Sequence, residues 1–375
     1  VARFSREYLV LLGAHFLFFL NFSELILLPK YFQVLGLKPS AIGLLMGAFS
    51  VSVLAGLPVA GLVSERVPRK ALFTIGAALM AVTSSLYGVC AHMMPALYLL
   101  RVIQGLGFSS AFGIVGAMVA ESGRAEERML MLGMLTAVGI TTHAAGPVLG
   151  EHLVAAYGYR ALFASAAAFG AWALALAFLL PPRPQASSRG NGRLNPVLRL
   201  NAASMVLGAV FGSAVIFLPP FLQTRGVHDS SPFFLAFTAG SLLVVSLLYR
   251  QVRIVPERLM WPVAALSLAV LPACAGWADR TGVLVMLSLV FGIGYGYLYP
   301  TLNTAVIDAN PMLKGVANAL FVWSFNLGML VASVGFGYLC EAVGYVGAFR
   351  SVAVVGFILF VIIWCQDTFR SISRG

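Results

Sequence analysis

About twenty apolar residues at a time, recurring roughly every thirty positions, run the full length of this chain. No other feature limits its fold as much. A helix rises about 1.5 Å per residue, so each such run reaches across the ~30 Å hydrocarbon layer of a bilayer. Twelve runs are read, at 8–32, 40–63, 70–92, 95–120, 129–153, 160–180, 200–224, 231–250, 259–277, 281–307, 313–339 and 343–366. A membrane β-barrel would show alternating ten-residue segments instead, and none is present in the sequence. The expected fold class is an all-α polytopic membrane protein.

Composition agrees. Of the 375 residues, 60% are hydrophobic and only 10% charged, against about 45–50% and about 25% in soluble domains. The net charge of +11 would point to nucleic acid in a soluble protein. Here positive residues retained in cytoplasmic loops explain it, so no nucleic-acid partner is expected and the lipid bilayer is. An even number of spans puts both termini on one side. The loops of that side hold seventeen Lys and Arg and the opposite loops six, with Lys30 counted among the six and Arg101 inside a span. Both termini are therefore expected in the cytoplasm, in an inner or plasma membrane. The first run is too long for a signal-peptide core, so no cleavable leader is expected. Cys90, Cys274, Cys340 and Cys365 are scattered through apolar runs as packing residues.

Pro181 to Arg199 is the one low-hydrophobicity linker and divides the chain into an N-terminal half (1–180), the linker (181–199) and a C-terminal half (200–375). The halves read as copies. Leu28-Pro29 through Gly36 matches Leu218-Pro219 through Gly226 at a shift of 190, and Val67-Pro68-Arg69-Lys70 matches Val255-Pro256-Glu257-Arg258 at 188. Gly105-Leu106-Gly107 matches Gly292-Ile293-Gly294 at 187, and Gly158-Tyr159 matches Gly344-Tyr345 at 186.

Between the second and third runs lies Gly61-Leu62-Val63-Ser64-Glu65-Arg66-Val67-Pro68-Arg69-Lys70, one acid and three bases in ten residues. It resembles the G-x-L-x-D-R-x-G-R-K signature of the major facilitator superfamily, with Pro68 in place of a glycine. Arg101-Val102-Ile103-Gln104-Gly105-Leu106-Gly107 is similar to that family's R-x-x-Q-G-x-G. Gly146-Pro147-Val148-Leu149-Gly150 is similar to the G-P-x-x-G-G motif of its exporters, with Glu151 replacing the last glycine and Thr142 an earlier one. The resemblance covers nearly the whole chain. It implies two pseudo-symmetric six-helix halves, a substrate site near the midplane, and gating roles for Gly61, Glu65, Arg66, Arg69, Lys70, Gly146, Pro147 and Gly150. It further implies that Glu65 meets the start of the eleventh helix, near Met312 to Gly315, and holds the inner gate closed.

Charges inside a span are costly, roughly 2.5–3.5 kcal/mol each on insertion scales, and usually serve a task. Glu24 lies about 10 Å inside the outer end of the first run, and Arg101 lies at a similar depth in the fourth. Both helices border the family's central cavity, so Glu24 and Arg101 are expected to face each other as a proton-coupling pair. A purely structural pair locking two helices is the alternative. Asn21 shares the Glu24 face, and His15 falls on the opposite one, where a hydrogen bond to a neighbouring helix is expected. His143 stands mid-span, one turn from Pro147, and either binds substrate or protons or satisfies the backbone that proline disrupts.

Gln104 and Phe108 share a stripe with Arg101 and Phe112, and Tyr295, Tyr299 and Asn303 follow at four-residue spacing in the tenth run. Phe211, Phe217, Trp323 and Asn326 complete a mostly aromatic substrate-binding set, suited to amphiphilic organic molecules; helix packing is the other use of such residues. The Gly292, Gly294, Gly296 string follows no strand and reads as helix packing. No metal-ligand spacing, nucleophile elbow or phosphate loop is present, so no enzyme and no cofactor are expected. The expected function is secondary active transport of a small organic or amphiphilic molecule as a proton-coupled exporter, by a monomer. Uptake by proton symport, lipid flipping and a receptor without turnover are the alternatives.

Overall fold

The computed structural model describes residues 4–122, 127–181, 195, 197–249, 257–311 and 313–372. They form twelve helical passes with no strand among them. These are α1 (Arg6–Val34), α2 (Pro39–Val63), α3 (Arg69–Leu86), α4 (Met94–Ser122), α5 (Arg128–Tyr157) and α6 (Tyr159–Phe178). Then follow α7 (Leu198–Thr224), α8 (Ser231–Tyr249), α9 (Glu257–Ala273), α10 (Thr281–Asp308), α11 (314–343) and α12 (345–372). Two passes are shorter than expected. The third ends at Leu86 before Gly88, and the ninth gives way to a 3₁₀ turn at Ala275–Trp277 just beyond Pro272.

Local chemistry explains the element ends. Ser5 caps α1 by accepting the Tyr8 backbone N–H at 3.1 Å. Pro58, Pro147, Pro219, Pro220, Pro262, Pro272 and Pro300 stand inside helices, a placement that membrane helices tolerate. Between α11 and α12 the only interruption is Gly344, at φ 73° and ψ 166°.

The backbone repeats as the sequence does. Gly36 and Gly226 both take positive φ (81° and 79°), and in each case the next residue's N–H bonds back to a carbonyl five positions earlier: Leu37 to Phe32 (3.1 Å) and Val227 to Leu222 (2.9 Å). This left-handed C-terminal cap is one that a β-carbon disfavours. Gly158 (φ 79°, ψ 178°) and Gly344 (φ 73°, ψ 166°) match each other as well, at positive φ with extended ψ. Helix contacts repeat too: Gly105 of α4 packs on the Phe49 carbonyl of α2, and Gly292 of α10 packs on the Phe237 carbonyl of α8. The linker at 182–194 and 196 and the repeat of the second loop at Val255-Pro256 lie outside the described residues.

The chain forms two compact units. One holds residues 1–31 and 48–189, and the other holds residues 32–47 and 190–375. The second thus includes the loop after α1 and the first turns of α2. There, Ser40 donates its backbone N–H to Glu341 at 3.1 Å, and Gly337 packs on the Pro39 carbonyl.

Candidate functional site

In the first unit, the Glu24 carboxylate is fully buried at the end of the α-helical part of α1, where a 3₁₀ turn at Leu25–Leu27 begins. Both of its oxygens lie 3.0 Å from the Ser165 hydroxyl of α6, which also lies 2.9 Å from the Leu162 carbonyl. Opposite, α5 comes close enough that a Cβ at Gly146 would stand 2.6 Å from the Ser23 carbonyl carbon and 2.7 Å from the Glu24 nitrogen. Gly150 faces Leu27 and Leu162 in the same seam. One turn before Glu24, Asn21 donates to Ser84 Oγ of α3 (2.9 Å) and to the Ala166 carbonyl (2.5 Å). Asn21 and Glu24 thus share a face, and that face meets α6.

Arg101 is not the partner of Glu24. Its Nη1 donates to Gln104 Oε1 at 2.6 Å, the Tyr87 hydroxyl donates to the same oxygen at 2.7 Å, and the guanidinium sits 4.6 Å from the Phe49 ring centroid. The expected pair is corrected accordingly. Equal depth says nothing about the direction each residue takes around its helix axis, and here the two directions differ. The cation–π contact and the shared amide oxygen offset the cost of burying Arg101.

A buried ion pair does exist, but elsewhere. Lys30 Nζ of α1 lies 2.5 Å from Glu151 Oε2 of α5, with the two side chains 5% and 6% exposed. The count of loop bases puts Lys30 on the outer side; it belongs instead to the packed interior of the first unit. The signal is present in the sequence, since Glu151 is an acid inside a span and Lys30 lies within the limits of another.

His143 Nδ1 bonds the Gly139 carbonyl of its own helix at 2.6 Å, one turn before the carbonyl that Pro147 frees. His15 packs on Phe19 (4.5 Å), and its Nδ1 has no hydrogen-bond partner, contrary to the bond expected for it. In the charged loop, Gly61, Glu65 and Arg66 are exposed, Arg69 is half-buried, and Ser64 Oγ donates to the Gly61 carbonyl. Lys70 donates to the Phe178 (2.8 Å) and Leu180 carbonyls at the end of α6, where a cation meets the negative end of a helix. Met312, named as a partner of Glu65, lies outside the described residues.

Four rings in each unit are arranged alike. In the first unit, Phe108 stands 4.6 Å from Phe22, 5.7 Å from Phe49 and 5.1 Å, stacked, from Phe112. In the second, Tyr295 stands 4.7 Å from Phe211, 5.3 Å from Phe237 and 5.4 Å, stacked, from Tyr299. The positions correspond at shifts of 187 to 189, continuing the repeat. The shift changes from 189 at Phe22 to 190 at Leu28 because the 3₁₀ turn between them rises about 2.0 Å per residue, gaining one α-helical residue's length over three. Phe325 and Phe321 of α11 close the second cluster against Tyr299, at 5.3 and 5.1 Å. Phe217 does not join it; its ring packs on Phe336 at 4.7 Å. Asn303 continues the α10 stripe half-buried, as do Trp323 and Asn326 on α11, where Asn326 bonds its own helix at the Val322 carbonyl. Phe22, Phe49, Phe237 and Phe325 escaped the sequence reading because they lie on helices other than the two stripes.

Twelve apolar passes in two repeated halves, with carboxylates and amides buried among aromatic rings, define a multi-pass membrane transporter. Residues 10–312 match the sequence profile of the Major Facilitator Superfamily, and the chain belongs to that family. It is 25% identical over 381 residues to the quinolone resistance protein NorA of Staphylococcus aureus (strain MRSA252), across 95% of this chain and 96% of that one. A shorter match, 29% over 162 residues, covers 43% of this chain and 40% of the multidrug resistance protein 2 of Bacillus subtilis (strain 168). Among solved structures, the nucleoside transporter NupG superposes with a TM-score of 0.75 at 16% identity, over 96% of this chain and 98% of that one. A D-xylose–proton symporter superposes at 0.78 and 16%, over 95% and 96%. These likenesses establish the fold.

Proposed function

We propose that the chain is a proton-coupled exporter of small organic or amphiphilic molecules, with Glu24 as the proton carrier. The observation that carries the proton role is the arrangement around Ser165. This hydroxyl has one proton and three acceptors near it: the two Glu24 oxygens and the Leu162 carbonyl. If the carboxyl brings a proton of its own, it donates to Ser165 Oγ while Ser165 donates to Leu162, and one neutral carboxyl oxygen is left over. If it does not, the single hydroxyl proton is shared among the Leu162 carbonyl and two oxygens that carry a full negative charge. A carboxyl whose surroundings change their bonding with a single proton, inside a membrane helix, is suited to load and release it as the protein moves. Export rather than uptake is favoured by the resistance proteins among the relatives and by the glycine seam at Gly146 and Gly150. The aromatic clusters around Phe108 and Tyr295 supply apolar faces for an amphiphile. The bias of loop bases, seventeen against six, supports cytoplasmic termini.

Purified protein in proteoliposomes tests the assignment. Glu24→Gln is expected to keep substrate counterflow, which needs no gradient, and to lose uphill transport driven by a pH gradient. Full gradient-driven transport in that variant would remove Glu24 from the mechanism.

A further inference from the structure

Around Glu24 the structure gathers oxygen atoms with too few protons to serve them. The Asn21 amide is fixed in one orientation. Its nitrogen meets Ser84 Oγ and the Ala166 carbonyl, and Ser84 gives its own proton to the Met80 carbonyl at 2.7 Å, so both neighbours only accept. Asn21 Oδ1 is left buried without a partner. One turn on, the two Glu24 oxygens share the Ser165 hydroxyl and, among the described residues, have no basic partner. Asn21 and Glu24 bond adjacent residues of α6, Ala166 and Ser165. Inside the neighbouring spans, the groups that carry or gain charge bond elsewhere: Arg101 and Tyr87 to Gln104, Glu151 to Lys30, and His143 to the Gly139 carbonyl. His15 packs on Phe19, on the opposite face of α1. The helix also turns from α to 3₁₀ at Leu25, and interrupted membrane helices are where transporters hold small coupling ions.

One carboxylate among neutral oxygens matches a hard monovalent cation. A divalent ion would leave a net charge buried, and a transition metal would favour nitrogen or sulfur ligands. Water would donate to two of the acceptors and leave the carboxylate charge unbalanced. We infer that Glu24, Asn21 Oδ1 and Ser165 Oγ form a sodium site. With sodium bound, Ser165 gives its proton to the Leu162 carbonyl and turns a lone pair to the ion. A protonated Glu24 releases its proton as sodium enters, so the two ions exclude each other at one carboxyl. The site deepens the proton-carrier reading and rests on it only in using the same carboxyl.

The probe is sodium chloride, with choline chloride holding the ionic strength constant. Binding of radiolabelled sodium to detergent-purified protein is measured at equilibrium, without transport, and thermal unfolding is followed in the same two salts. Wild type is expected to bind sodium saturably and to unfold at a higher temperature in sodium than in choline. Its apparent sodium affinity should fall on acidification, by up to about 10-fold for each unit of pH lowered. Glu24→Gln is expected to lose the saturable binding. Ser165→Ala should weaken it roughly 10-fold, and Ser165→Thr, which keeps the hydroxyl, should restore most of it. The wild-type comparison needs no variant, so it decides the matter even if a variant fails to fold. No saturable binding in wild type, binding that ignores pH, or binding unchanged in Glu24→Gln would overturn the inference. Sodium binding as expected, in a protein whose Glu24→Gln variant keeps full transport driven by a pH gradient, would uphold the site and count against the proton reading alone.

Discussion

The ion pair of Lys30 with Glu151 raises the sharpest question at the level of single residues. A buried pair is seldom more stable than well-packed apolar residues, but removing one partner strands the other charge. Under the repeat, Lys30 corresponds to Pro220 and Glu151 to Gly337, so neither charge has a counterpart in the second half. Lys30→Met or Glu151→Leu alone is therefore expected to destabilise the protein by about 3–5 kcal/mol, and the double variant to recover most of that loss. Thermal unfolding in detergent checks it; a double variant as unstable as either single one would contradict the pairing. Residue identities inside the spans were legible in the sequence, and Glu24, Arg101, Asn21 and Gln104 are all buried, as their positions implied. Their partners were not legible. Depth along a helix follows from counting, whereas azimuth depends on how neighbouring helices pack, and that separated Glu24 from Arg101.

At the level of helices, the contact of α1 with α5 depends on small residues. Gly146 brings α5 onto the backbone of Ser23 and Glu24, so a methyl group there must push the helices apart. Gly146→Ala is expected to cost about 1–3 kcal/mol and to disturb Glu24 with it. Gly133→Ala, on the same helix with nothing within 4 Å of an added Cβ, should be neutral or slightly stabilising. Unfolding midpoints of the two variants compare them directly, and equal effects would argue against a special seam. The motif Gly146-Pro147-Val148-Leu149-Gly150, read from the sequence as a gating element, stands at this seam, and its departure at Glu151 is the acid that holds Lys30. The pinning of Lys70 to the end of α6 was not legible, because its acceptors are backbone carbonyls 108 and 110 positions away.

For the whole molecule, twelve passes and the two-fold repeat were readable from apolar period and from four short matches in order. The repeat then proved deeper than those matches: it extends to left-handed caps, to glycine crossings and to two ring clusters of like geometry. Ring clusters draw on three helices at once, so no single periodic stripe reveals them. What the halves do not share is chemistry: Glu24, Arg101 and the Lys30–Glu151 pair lie in the first, while the second carries Tyr295 and Tyr299 where the first has Phe108 and Phe112. The most direct test uses inside-out membrane vesicles containing the protein, given an acidic lumen and ethidium outside. Ethidium is expected to accumulate in the lumen, and nigericin, which collapses the pH gradient, to abolish the accumulation. Accumulation that ignores the gradient, or movement of ethidium out of the lumen as protons leave it, would contradict the account.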